Sequence, residues 1–211
     1  MIQDVNYNQN IYLILELCEE GNLNRLLNRN KKRQLDQEQA FQIFSQIVNG
    51  YNSFYESKTL HRDLKPENIL FTKGIVKIAD LGVAKIVEEM GLAIDHTIVG
   101  TLLYQAPVMM ACTKYSDKVD LWSLGIIFYE MLYGVLPYVQ NHPKKLYKLI
   151  TTEPLIFPQD VQINQSYIEL IKKLLQVDPE TRITWQDLRD CLSKNSKLEI
   201  FHYKIQVLHH P

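Results

Sequence analysis

The chain is poor in cysteine, lacks any long apolar run and carries almost no net charge, and each scarcity excludes something. Its three cysteines, Cys18, Cys112 and Cys191, lie far apart among 211 residues. No pair has metal-ligand spacing, and the odd number argues against a disulfide framework. A reducing intracellular compartment, the cytoplasm, is therefore expected. The most apolar stretch, Leu124 to Pro137, contains Glu130. It is shorter than the ~18–20 apolar residues a spanning helix needs, so a buried core helix and no membrane association are expected. Met1 to Asn10 holds Asp4 and several asparagines without an apolar run, unlike a signal peptide. The net charge of -1 supplies no global field for nucleic acid or membrane. The eight glycines are Gly21, Gly50, Gly74, Gly82, Gly91, Gly100, Gly125 and Gly134. No two are spaced i, i+2, so the chain contains no Gly-x-Gly-x-x-Gly phosphate loop.

What is present reads as one globular domain. Hydrophobic content of 46% and charged content of 22% suit a packed core rather than disorder. Ile11 to Leu17 is short, apolar and β-prone and predicts a buried strand, ended by Gly21. Asn22 to Arg29 predicts a short helix, and the basic run Asn28 to Gln34 a solvated loop after it. Asp36 offers an N-cap with Gln39 as its capping-box partner. Behind it Ala40, Phe41, Phe44, Ile47, Val48, Tyr51, Phe54 and Tyr55 recur at helical spacing. Ile69 to Phe71 and Ile75 to Ala79 predict two strands joined by a Lys73-Gly74 turn. A long loop is expected from Gly82 to about Ser116, then a buried helix over Asp117 to Tyr133. Further helices are expected near Pro143, at Ser166 and at Thr184. The pattern predicts mostly helix, with its few strands in the first half.

The chemistry concentrates in His61-Arg62-Asp63-Leu64-Lys65-Pro66-Glu67-Asn68. A carboxylate, an ammonium and a carboxamide stand within six positions. Phosphoryl transfer to a hydroxyl needs an acceptor for the hydroxyl proton, a cation on the moving phosphate and a neutral oxygen ligand for Mg²⁺. Pro66 fixes φ and biases Lys65 away from helix, which predicts a tight loop. The string resembles the catalytic loop of protein kinases, and Lys65 two residues after the aspartate resembles the serine/threonine branch. Asp80-Leu81-Gly82, Gly100 to Pro107, Asp120 to Gly125 and Asp178 to Arg182 follow in the order and at the intervals of that family's catalytic lobe.

The resemblance implies an α+β, protein kinase-like fold: a mainly helical C-lobe with a short remnant of the N-lobe sheet. The implied domain spans 1–192, with N-lobe remnant and hinge over 1–17, C-lobe over 18–192 and a tail over 193–211. It implies transfer of the γ-phosphate of Mg-ATP to a Ser/Thr hydroxyl of a protein substrate. Asp63 then resembles the base, Lys65 the cation on the phosphate, and Asn68 and Asp80 the Mg²⁺ ligands. Leu15, Glu16, Cys18, Asn22, Glu67 and Leu70 fall where the family contacts the nucleotide, Leu70 as the floor under adenine. His61 is expected to be a packed core residue. Arg62 resembles the arginine that holds a phosphate on the activation segment, with Thr97 as the phosphosite for an activating kinase. Thr101 resembles the threonine that contacts the catalytic loop, and Asp120 the aspartate that anchors its backbone. Trp122 is expected to be plain core.

Three departures qualify this. Val108 stands where the family has a glutamate that pairs with an arginine matching Arg182. Stranding one member of a buried ion pair costs ~3–5 kcal/mol, so either Arg182 finds another partner or the loop after Pro107 is poorly held. Leu81 replaces a phenylalanine, apolar for apolar. The glycine-rich loop and a strand lysine are absent, as if the chain began at the last two strands of the small lobe. The alternative implied is a truncated, catalytically weak or dead pseudokinase acting as a protein-binding module.

Overall fold

Asp36 starts the helix around which the protein is organised. The computed structural model describes residues 3–7, 10–91 and 100–195, with side chains over 14–91 and 100–193. The Asp36 carboxylate accepts the N–H groups of Glu38 and Gln39 at 2.9 and 3.4 Å, and helix α2 (Gln37–Glu56) begins at the predicted cap. Its Ala40, Ile43, Phe44, Ile47, Val48 and Tyr51 are buried at helical spacing. They face α4 (Lys118–Tyr133), which is buried on every side, as its near-continuous apolar sequence requires. Phe44 stacks on Phe128 with ring centroids 4.4 Å apart, and Phe128 meets Tyr167 of α6 (Gln165–Leu174) edge-on. Each fully buried large side chain contributes roughly 1.5–3 kcal/mol, so this three-helix contact dominates the core. Gly134 ends α4 at φ 71°, where its N–H reaches Glu130 O at 2.8 Å. A Cβ there would overlap the Lys32 carbonyl oxygen, so that turn requires glycine.

The strands form three two-stranded antiparallel pairs. β1 (Gln3–Tyr7) pairs with β2 (Asn10–Ile14), with Gln3 opposite Ile14. β3 (Thr59–Leu60) pairs with β6 (Lys85–Ile86). β4 (Ile69–Thr72) and β5 (Ile75–Ile78) form the predicted hairpin, and Lys73 and Gly74 both turn at positive φ. All strands among the described residues precede Val87, as expected. The hairpin is fixed to α2 by the Val76 N–H donating to Gln46 Oε1 at 3.0 Å. No helix among the described residues is long and apolar enough to cross a membrane.

Several boundaries differ from the sequence reading. The strand predicted over Ile11 to Leu17 stops at Ile14, and Ile14, Leu15 and Leu17 are exposed rather than buried. Among the described residues no strand pairs with Leu15 to Leu17, so their apolar side chains gain nothing from an inner sheet face. The helix predicted from Asn22 is α1 (Leu23–Arg29), with Asn22 as its N-cap. The loop after Gly82 contains β6, a 3-10 turn at Leu102–Tyr104 and α3 (Pro107–Met110). α5 (Pro143–Thr152) starts as predicted. α6 is capped by Asn164 rather than Ser166, because the Asn164 side-chain Oδ1 accepts both the N–H and the hydroxyl of Ser166. Thr184 and Asp187 cap α7 (Trp185–Asn195) reciprocally, and this helix runs past the expected domain end at Leu192. The rest of the expected tail, 196–211, lies outside the described residues.

Candidate active site

The loop from His61 to Asn68 is built on one buried carboxylate. α2 delivers the chain through β3 to His61, which is fully buried. Asp120, on the first turn of α4 and 1% exposed, accepts the N–H of His61 through Oδ2 and that of Arg62 through Oδ1, both at 2.8 Å. Tyr51 of α2 donates its hydroxyl to the same Oδ2. Arg62 is held at φ 66°, a left-handed conformation that a side chain adopts only when its surroundings enforce it. His61 is core, as expected: its Nε2 lies 3.0 Å from Ala79 O, and its Nδ1 accepts the Asp63 N–H at 3.3 Å. Burial pushes the Asp120 carboxyl up, and the bonds from Tyr51, His61 and Arg62 act against that.

This scaffold presents Asp63, Lys65 and Asn68 together. Lys65 Nζ donates to Asp63 Oδ2 at 2.7 Å and to the Thr101 hydroxyl at 2.8 Å. The Thr101 N–H donates to Asp63 Oδ1 at 2.7 Å. Asn68 Nδ2 donates to the Asp63 carbonyl at 2.9 Å. Pro66 opens a 3-10 turn (Pro66–Asn68) that brings the carboxamide back over the loop, as the proline predicted. Burial alone would raise the Asp63 carboxyl, but the bonds from Lys65 and Thr101 outweigh it and hold it below its ordinary value. The Asp63 side chain is 10% exposed and that of Lys65 21%, so the pair is largely dry yet reachable. Gly100, at φ 90°, lets the chain pass the loop, and a Cβ there would overlap the Arg62 carbonyl oxygen.

The remaining predicted residues fall in two groups. Asp80 is exposed at φ 67°, and its Oδ1 accepts the Gly82 N–H at 3.1 Å. Its segment is tied to the loop by the Ala79 N–H donating to Asn68 O at 2.9 Å. Leu81 is exposed, so its apolar side chain fills no core position. Leu70 pairs with Lys77 in the hairpin and bridges to Asn22, while Lys77 Nζ reaches Glu16 Oε2 at 3.2 Å. Glu16, Asn22 and Leu70 thus converge at one edge of β4. The Asn22 side-chain Oδ1 is already engaged, capping α1 by accepting the Arg25 N–H at 2.9 Å. Burial, then the Glu16 charge, raises the Cys18 thiol. Leu15 is largely exposed, and Glu67 is exposed on the 3-10 turn. Among the described residues no three His, Cys, Asp or Glu side chains cluster to hold a metal. The hard oxygens of Asn68 and Asp80 suit Mg²⁺, which takes one or two protein oxygens and completes its shell with phosphate and water.

The sequence reading missed a second polar network. Glu130, 4% exposed within α4, accepts Arg33 Nη2 at 2.9 Å and the Tyr104 hydroxyl at 2.7 Å. Ser123 donates to Tyr104 O at 2.8 Å. Arg33 is therefore not part of a solvated basic run but a tie from the α1–α2 connection to the segment after Thr101. A lone glutamate in an apolar helix was the available signal. Arg62 donates from Nε to Val83 O at 2.7 Å and from Nη1 to the Tyr115 hydroxyl at 3.0 Å. Thr97 lies outside the described residues. Arg182 has found other partners: its guanidinium donates to the carbonyls of Gln176, Lys118 and Val177 at 2.9, 2.7 and 3.2 Å and lies 5.1 Å over the Trp122 ring. Trp122 is core, as expected.

The family model of the protein kinase domain matches residues 1–192. The chain belongs to the protein kinase family. It is 36% identical over 181 residues to the serine/threonine-protein kinase atg1 of Dictyostelium discoideum, covering 84% of this chain and 26% of that protein. It is 35% identical over 184 residues to the serine/threonine-protein kinase ULK3 of Rattus norvegicus, covering 85% of this chain and 38% of the relative. A carbon catabolite-derepressing protein kinase of Secale cereale is 32% identical over 183 residues, covering 86% and 35%. The chain thus spans between about a quarter and two-fifths of these relatives. The α+β fold, with its small antiparallel sheets and helical body, is the one this family implies.

Proposed function

We propose that the chain is the catalytic lobe of a serine/threonine protein kinase, transferring the γ-phosphate of Mg-ATP to a hydroxyl of a protein substrate. The observation that carries this reading is the Asp63 carboxylate gripped by Lys65 Nζ and the Thr101 N–H, with Asn68 locked on its carbonyl. In this reading Asp63 orients the substrate hydroxyl and accepts its proton as the O–P bond forms. A carboxyl held below its ordinary value is ionised at neutral pH, as that role requires. Lys65 stands beside it to offset charge on the transferring phosphoryl group. Asn68 and Asp80 would hold Mg²⁺, which when bound offsets phosphate charge. Glu16, Cys18, Asn22 and Leu70, with Leu15 and Glu67 at the margins, would receive the nucleotide. Thr101 positions both Asp63 and Lys65. A phosphate placed on Thr97 by an activating kinase would be held by Arg62.

The test uses the chain as it stands, with Mg-ATP labelled at the γ-phosphate and a generic protein substrate. Incorporation on serine or threonine, reduced about 10²–10⁴-fold by Asp63→Asn, supports the reading. No incorporation together with no ATP-dependent rise in melting temperature overturns catalysis by this chain and favours a protein-binding role. Unchanged activity of Thr97→Ala in an active preparation overturns the regulatory part.

A further inference from the structure

Behind α3 lies a cavity of about 90 Å³ that the catalytic reading does not use. Val108, Lys114, Tyr115, Lys118, Glu180 and Arg182 are among its lining residues. Arg182 is 2% exposed, and its three hydrogen bonds all go to backbone carbonyls. Carbonyls satisfy N–H groups but carry no neutralising charge, and among the described residues no carboxylate pairs with this guanidinium. Burial pushes its pKa down to about 10, and the Asp178 charge, which acts the other way, offsets only part of that cost. Two lysines line the same cavity, one of them, Lys118, anchored by its Nζ on Pro179 O at 2.6 Å. Val108 adds an apolar side chain to the same lining. Glu180 also lines the cavity but is exposed.

We infer that this cavity binds a small oxyanion, a carboxylate or phosphate group, as the counter-ion of Arg182. The volume equals about three waters of liquid, enough for an ion of three to five heavy atoms. A guanidinium recognises the paired oxygens of such groups in a fork geometry that chloride cannot match. Tyr115 also lines the cavity, and its hydroxyl accepts Arg62 Nη1 at 3.0 Å, so the cavity adjoins the residue that precedes Asp63.

The experiment measures thermal melting of the chain in formate, acetate or phosphate against sodium chloride at matched ionic strength and neutral pH. Oxyanion several-fold above its Kd is expected to raise the melting temperature by about 2–4 °C beyond chloride. A response to formate and acetate alone identifies the carboxylate form, and a response to phosphate alone the phosphate form. Val108→Glu tethers a carboxylate at the cavity; it is expected to melt higher than the parent and to lose the oxyanion response. Lys114→Met, at an exposed position, is expected to weaken apparent oxyanion affinity about five-fold. Melting that moves no further with oxyanions than with chloride overturns the inference. So does an oxyanion response that both variants retain unchanged. Neither readout depends on phosphoryl transfer, so this inference and the proposed activity fail separately.

Discussion

Replacing Asp120 with alanine tests whether one buried carboxylate sets the shape of the loop from His61 to Asn68. The carboxylate accepts three donors: the Tyr51 hydroxyl and the N–H groups of His61 and Arg62, the last two at 2.8 Å. A hydrogen bond to a charged acceptor is worth ~1.5–3 kcal/mol, so the gross loss is roughly 4–9 kcal/mol. Part of this is offset, because the variant no longer keeps a carboxylate out of water, a burden of several kcal/mol. A net loss of about 3–5 kcal/mol remains, from a total stability on the order of 5–15 kcal/mol. With a urea slope of ~2.5–3 kcal/mol per molar for a chain of this size, the unfolding midpoint falls by about 1–2 M. Tyr51→Phe removes one such donor and leaves the carboxylate two, so it costs only about 1.5–3 kcal/mol. Native-state hydrogen exchange adds a local readout: the amides of His61 and Arg62 lose protection in Asp120→Ala before the rest of the core. A midpoint shift under about 0.3 M, or equal losses for Asp120→Ala and Tyr51→Phe, would refute the reasoning.

Three further predictions follow from local geometry. Gly134→Ala forces a Cβ at φ 71° against the Lys32 carbonyl and is expected to cost about 2–4 kcal/mol in urea unfolding; a loss below 0.5 kcal/mol would show that the turn relaxes freely. The Asp63 carboxyl is held below its ordinary value of 3.8, so its contribution is present above that pH and fades as pH falls through the lower folded value. The stability difference between the parent and Asp63→Asn should therefore be flat above about pH 5 and shrink below 3.8; a difference constant down to pH 2.5 counts against the Lys65 and Thr101 bonds. Tyr129 and Tyr167 are pushed up to about 12, in both cases first by burial. Their raised values mean stability present below pH 10 and lost as pH rises toward 12. The double variant Tyr129→Phe, Tyr167→Phe should flatten that alkaline decline in denaturation midpoints, and an unchanged decline would place the titration elsewhere.

The sequence made the core helices legible because their signals are local. Asp36 caps the helix it precedes, and the spacing of Ala40, Phe44, Ile47 and Tyr51 reports the face that α2 buries. The hairpin at Lys73-Gly74 was legible for the same reason. Leu15 and Leu17 were misjudged because an apolar, β-prone run becomes a buried strand only when another strand pairs with it. Asn164 displaced Ser166 as a cap because both fit the pattern and only geometry decides which oxygen receives the N–H. In the candidate site, Asp63, Lys65, Asn68 and Thr101 were named by sequence likeness; the contacts among the first three follow from a short loop, whereas Thr101 reaches Lys65 and Asp63 across 36 and 38 positions. Tyr51, Tyr104, Tyr115 and Glu130 were not found. Each acts across 26 or more positions of chain, and no local spacing encodes such a pairing.

The placement of Asp63 relative to Asp80 comes down to one backbone unit. Ala79 donates its N–H to Asn68 O at 2.9 Å, and its carbonyl lies 3.0 Å from His61 Nε2. Both backbone polar groups of Ala79 are thus taken by the segment that carries Asp63. At the two ends of this tie stand Arg62 and Asp80, non-glycine residues at φ 66° and 67°. Such conformations cost ~1–3 kcal/mol each, so something in the fold must hold them. For Arg62 the holder is the Asp120 carboxylate on its N–H; for Asp80 it is the residue's own Oδ1 on the Gly82 N–H. Charge-assisted bonds of ~1.5–3 kcal/mol match strain of that size. The strain and its restraints lie in the backbone, and neither needs a bound nucleotide. The backbone that bears Asp63, Asn68 and Asp80 is therefore preorganised by the fold, and, on the function proposed above, a change behind it, at Asp120 or His61, acts by moving Asp63 rather than by removing a contact to substrate.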